Sequence, residues 1–119
     1  MTKNILIIQR TAPYGSSLAR EGIDYVLTSA AYDQNISLLF LGDGVFQLLA
    51  NQNSKDIQLK NQLSALEVLP LYDVESLYVT EEDLTERNLQ AENLGLKVNV
   101  ISRASVHPLL SKQDHVVGF

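Results

Sequence analysis

Two short runs, Ile5-Leu6-Ile7-Ile8 and Ile36 to Leu41, most narrow the folds open to this chain. Each is almost wholly apolar and rich in β-branched residues or leucine, and neither alternates with polar residues. Such a run suits a strand covered on both faces, as in a parallel sheet, and not the half-solvated strand of a hairpin. Parallel neighbours need a crossover between them, usually a helix. The intervening sequence supplies one. From Leu18 the apolar positions Ala19, Gly22, Ile23, Val26, Leu27, Ala30 and Ala31 fall on one helical stripe, with Arg20, Glu21, Asp24 and Thr28 elsewhere.

The same alternation continues. Gly42-Asp43-Gly44 breaks the second run, and Val45 to Leu49 forms a short apolar segment expected to be helical. The polar stretch from Asn51 to Asp56 is expected to be the most flexible. Gln58 to Leu69 reads as a helix burying Leu59, Leu63, Leu66 and Leu69, and Pro70 disfavours its continuation. Ser76 to Thr80 is a third strand. Thr80-Glu81-Glu82-Asp83 reads as a helix start, with acids at the positive end of the helix dipole, and that helix extends to about Asn88. Lys97 to Ser102 is a fourth strand. Ser105 opens a last short helix with Pro108 in its first turn, and His115 to Phe119 is a fifth strand. The reading is one α/β domain over residues 1–119, a mostly parallel five-stranded sheet with helices on both faces.

Composition excludes several functions. With 45% apolar and 19% charged residues, the chain can bury a real core. No apolar run approaches the ~20 residues that span a bilayer, and Ile5 to Ile8 is too short for the core of a signal peptide, so a cytoplasmic protein is expected. The net charge is −5, with nine dispersed Lys and Arg, which disfavours direct nucleic-acid binding. There is no cysteine. Disulfides, thiolate metal sites, cysteine nucleophiles and persulfides on the chain itself are therefore all excluded.

Open α/β sheets carry functional loops at the carboxyl ends of their strands, here Arg10–Ser17, Gly42–Phe46 and Thr80–Asp83. Thr11 to Ser17 can hold an anion or serve as a turn; it matches neither nucleotide-loop pattern. Ser16 or Ser17 can cap the first helix. Asp43 can be an acid, a ligand or a cap, and Gly44 fits a strained turn. Val45, Phe46, Leu48 and Leu49 form a more apolar stretch than a solvent-facing loop needs, and are the candidate interface residues. Tyr72 and Asp73 read as a turn and cap. His107 and His115 lack the spacing of a zinc helix. No catalytic, cofactor-binding or metal-binding residue is assigned, and no cofactor is expected. Receiver domains share the length and alternation, but need clustered acids where this chain has Gln9-Arg10-Thr11.

Four stretches carry a more specific signal: Thr11-Ala12-Pro13-Tyr14-Gly15, Arg20-Glu21-Gly22-Ile23-Asp24, Asp43-Gly44-Val45-Phe46-Gln47-Leu48-Leu49 and Leu71-Tyr72-Asp73-Val74-Glu75. In this order they resemble the TusC, or DsrF-like, subunits of the DsrE family. The resemblance implies a DsrE-type fold and a hetero-oligomer with TusB-like and TusD-like subunits, as a dimer of heterotrimers. It also implies passage of persulfide sulfur from a TusA-like donor to a TusE-like acceptor, ending in 2-thiouridine at the tRNA wobble position. In the family the relay cysteine belongs to the TusD-like subunit, and the comparable loop here begins at Thr80. The implied role of this chain is non-catalytic. A stand-alone DsrE-type homo-oligomer or a small-ligand binder is the alternative.

Overall fold

The computed structural model describes residues 2–14, 16–32, 34–49 and 57–119, with only the backbone for 57–61. The polar stretch Asn51–Asp56 and the side chain of Leu59 lie outside the described residues. Five strands form one wholly parallel sheet: β1 (Asn4–Gln9), β2 (Asn35–Phe40), β3 (Ser76–Thr80), β4 (Asn99–Ile101) and β5 (His115–Gly118). Their order across the sheet is β4-β3-β2-β1-β5. The helices are α1 (Leu18–Ala30), α2 (Ile57–Glu67), α3 (Glu81–Glu86) and α4 (Val106–Ser111).

This order fixes the layers. From β1 to β4 the chain steps across the sheet in one direction, and right-handed crossovers then place α1, α2 and α3 on one face. The step from β4 back to β5 reverses direction and puts α4 on the other. Side chains agree. The main core joins Ile5 and Ile7 of β1, Ile36, Leu38 and Phe40 of β2, and Leu77 and Val79 of β3 to Ile23, Val26, Leu66 and Leu84 of the three helices. Leu6 and Leu39 point the opposite way and are fully buried on the α4 side. The apolar runs of β1 and β2 are thus covered on both faces, as their lack of alternation requires.

Element ends differ modestly from the sequence reading. β4 is only three residues long, because Lys97 and Val98 leave the ladder before Asn99 pairs with Tyr78. The second helix stops at Glu67, and a separate 3₁₀ turn, Leu69–Tyr72, takes Pro70 at its start and ends on Asp73 in the left-handed region (φ 63°). Of the two serines expected to cap α1, Ser16 accepts from the Leu18 N–H through its hydroxyl at 3.4 Å, while Ser17, at the cap position, donates its hydroxyl to Glu21 Oε2 at 3.4 Å. The α3 start is capped as expected, with Thr80 Oγ1 accepting from the Asp83 N–H.

Candidate functional site

At the carboxyl edge of the sheet, β2 runs into a 3₁₀ helix, Gly42–Leu48. Its repeat of three residues sorts the segment into ridges. Val45 and Leu48 share one ridge and are fully buried in the main core. Gly44 and Gln47 share the next and face β1. Asp43 and Phe46 share the third, where Asp43 is exposed and Phe46 half-buried; Leu49, the extended residue that follows the helix, is also half-buried. The four apolar residues read together as an interface are therefore split. Val45 and Leu48 are not available as surface, because the three-residue period turns them inward. Phe46 and Leu49 keep open area, although Leu49 also bridges to Leu94.

Two glycines allow this path for different reasons. Gly42 has φ +53°, which only glycine adopts without strain. Gly44 is not the strained residue. It lies so close to β1 that a Cβ would strike the Gln9 carbonyl oxygen. Its role is close backbone approach.

Beneath the 3₁₀ helix lies a buried amide cluster that the sequence reading missed. Gln47 Nε2 donates to the Thr11 carbonyl (2.8 Å), and Gln62 Nε2 donates to Gln47 Oε1 (2.9 Å) and to the Ala19 carbonyl (3.2 Å). Gln9 Nε2 reaches the same Ala19 carbonyl at 3.3 Å. These bonds tie the loop after β1, the 3₁₀ helix, α1 and α2 together. One signal was readable: Gln9 continues the Ile5 and Ile7 side of β1, where a polar residue must find partners. Gln9 Oε1 and Thr11 Oγ1 are buried without a partner among the described residues.

An ion-pair network links the 3₁₀ helix to α3 and to the turn after β4. Asp83 is its centre, only 7% exposed. Its carboxylate accepts from the Thr80 hydroxyl (2.6 Å) and lies 3.3 Å from Arg103 Nη2 and 3.6 Å from Arg87 Nη1. Arg87 Nη2 reaches Asp43 Oδ1 at 3.1 Å, and Arg103 reaches Glu86 Oε1 at 3.1 Å and donates its backbone N–H to Glu82. Burial is the largest single influence on the Asp83 carboxyl and pushes its pKa up. The Thr80 hydroxyl, the Gly42 backbone, Arg103 and Arg87 together outweigh it and hold the pKa below the usual carboxylate value. The hydrogen bond to Glu86 raises the Arg103 pKa further. Asp43 is thus an ion-pair partner of Arg87. The Asp83–Arg87 pair was legible as i, i+4 spacing; Arg103, twenty residues away, was not.

An open cleft of about 500 Å³ lies beside this network, between Leu41–Gly42 and α4, with Val106, Leu110, Arg103 and His107 on its walls. Thr80 does not open into it: its side chain is fully buried and bonded to Asp83. Tyr72 and Asp73 sit exposed on the turn before β3, and His107 and His115 are exposed on separate elements. The carboxyl edge is thus built from backbone turns, amides and ion pairs, and it presents Phe46 as an apolar feature.

A wholly parallel five-stranded α/β sheet with its structured loops at the carboxyl edge defines the class. The chain belongs to the DsrE/DsrF-like family, whose model matches residues 3–119. A "Protein TusC homolog" of Pseudomonas aeruginosa is 38% identical over 117 residues, covering 98% of each chain. A protein of the same description from Vibrio vulnificus is 38% identical over 110 residues, covering 92% of this chain and 93% of its own length. That from Aliivibrio fischeri is 36% identical over the same shares. The fold is also that of the crystal structure of the ychN protein from E. coli, with a TM-score of 0.80 over the whole of both chains at 20% identity. Among the described residues no helix is long and apolar enough to cross a membrane.

Proposed function

We propose that this chain is a non-catalytic subunit of a cytoplasmic sulfur-relay complex. The complex takes persulfide sulfur from a TusA-like donor and passes it to a TusE-like acceptor for 2-thiolation of the tRNA wobble uridine. The observation that carries the reading is full-length membership of the family in a chain without a single cysteine. Sulfur transfer needs a polarisable thiolate, and a threonine hydroxyl is barely ionised at neutral pH. Thr80 is further removed from such a role by its burial and its bond to Asp83. The transferring thiol then belongs to a TusD-like partner, and TusB-like and TusD-like subunits assemble with this chain as a dimer of heterotrimers. The chain supplies shape: Phe46, with Leu49 beside it, offers apolar surface that positions the partner and keeps water from its persulfide. Direct contact with tRNA is not part of this role, because the net charge is −5, the nine Lys and Arg are dispersed, and Arg20, Arg87 and Arg103 pair with acids.

Co-expression with TusB-like and TusD-like proteins, followed by native mass spectrometry, tests the reading. One complex containing all three chains is expected. Phe46→Ala should weaken assembly about tenfold, the loss of about 1.4 kcal/mol from one half-buried aromatic. A chain that forms only a homo-oligomer and ignores both partners would overturn the relay reading in favour of a stand-alone protein.

A further inference from the structure

Neighbouring strands β3 and β4 send the chain to opposite faces: β3 leads into α3 on one side of the sheet, and β4 into α4 on the other. Such a parting at the carboxyl ends makes the crevice where open α/β sheets take their ligands. In this chain the crevice is bridged. Arg103, two residues past β4, donates its backbone N–H to Glu82 Oε1 (2.8 Å). Its Nη2 reaches Asp83 Oδ1 at 3.3 Å and Glu86 Oε1 at 3.1 Å, so three acids of α3 converge on one residue. The cleft of about 500 Å³ lies beside this bridge, with Val106, His107 and Leu110 of α4 on one wall and Leu41 and Gly42 on the other.

α4 is held differently from the other helices. α1 buries Ile23 and Val26, α2 buries Leu66 and α3 buries Leu84, whereas α4 buries no residue. Its apolar side chains, Val106, Leu109 and Leu110, are only half-buried. Apolar burial is the main force that fixes a helix to a sheet, so α4 depends on its two ends. At the far end Asp114 donates its N–H to the Asn4 carbonyl and accepts the Asn4 N–H on Oδ2, each at 2.7 Å. At the near end stands Arg103. The Ser111 and Gln113 side chains bond only back along the helix, to the carbonyls of His107 and Leu109.

We propose that residues 102–113 form a strap across the cleft, latched by Arg103 and hinged at Asp114, and that release of Arg103 swings α4 aside while the sheet stays folded. Segments with few buried apolar contacts are the ones that open locally. The latch is electrostatic and lies half in solvent, with the Arg103 side chain 53% and Glu86 57% exposed, so added salt loosens it. The floor beneath is apolar. Leu6 and Leu39 are fully buried on this face and stand outside the main core. Opening thus widens an apolar cleft at the crevice, and closure shields it. The proposal concerns the chain itself and does not depend on the relay reading.

The absence of cysteine makes the test direct, since one introduced thiol is the whole signal. Leu39→Cys reports on the strap side of β2, and Leu38→Cys on the main core under the other helices. Each is followed by its rate of alkylation with iodoacetamide, in the full chain, with and without Arg103→Gln. Arg103→Gln should speed alkylation at position 39 about tenfold and at position 38 less than about twofold. High salt should favour position 39 in the same way when Arg103 is kept, and Arg103→Lys should restore part of the protection. Equal acceleration at both positions would show that Arg103 serves the whole fold and that no strap exists. No acceleration at position 39 would show that Arg103 does not hold α4. If Leu39→Cys fails to fold by circular dichroism, Leu41→Cys on the cleft wall takes its place with the same two outcomes.

Discussion

Asp83 is a buried acid that the fold keeps ionised. Burial works against its charge, and Thr80, Gly42, Arg103 and Arg87 restore it. Asp83→Asn should therefore cost about 2 kcal/mol in urea unfolding at pH 7, the usual loss for hydrogen bonds to a charged group. The pH dependence follows from the direction of the shift. The folded-state pKa lies below the unfolded one, so the contribution is complete above about pH 4 and is lost as pH falls through the folded value. Comparing urea midpoints at pH 7 and pH 3, the variant should lose less on acidification than the parent chain. Gly44 offers a sharper case. Alanine there meets the Gln9 carbonyl oxygen, and the backbone of a central strand cannot move aside. Gly44→Ala should cost about 3 kcal/mol by thermal unfolding, at the upper end for overpacking.

The elements were legible in the sequence where apolar pattern alone decides them. The buried runs of β1 and β2 and the stripe of α1 announced a parallel sheet with crossovers, because burial on two faces permits no polar alternation. The site was legible only in part. Val45, Phe46, Leu48 and Leu49 read as one apolar segment, since composition does not reveal a period of three. The 3₁₀ geometry sends Val45 and Leu48 to the core and leaves Phe46 half-buried. Gln9 apart, the glutamine cluster and Arg103 were illegible for another reason: their partners are distant in sequence and meet only once the sheet is formed. The start of α3 allows a direct test of the absent thiol. Thr80→Cys would place sulfur in a buried site beside the Asp83 carboxylate, which disfavours a thiolate. Its alkylation by iodoacetamide should be roughly tenfold or more slower than that of free cysteine. Rapid modification would show that this position opens readily and would weaken the non-catalytic reading.

At the scale of the whole molecule, the proposed assembly work falls to the carboxyl edge of the sheet. Phe46 stands there half-buried, with Leu49 beside it. The strand order carries a further consequence, for synthesis. β1 lies between β2 and β5, and the bond between Asn4 and Asp114 closes a separation of 110 residues. On the ribosome β2 emerges soon after β1, but β5 arrives on the order of ten seconds later at 5–20 residues per second. Throughout that interval Ile5 to Ile8 is a bare hydrophobic edge, the kind of strand that recruits foreign chains. The nascent chain is therefore a natural client for a chaperone that holds β1 until its last neighbour is made.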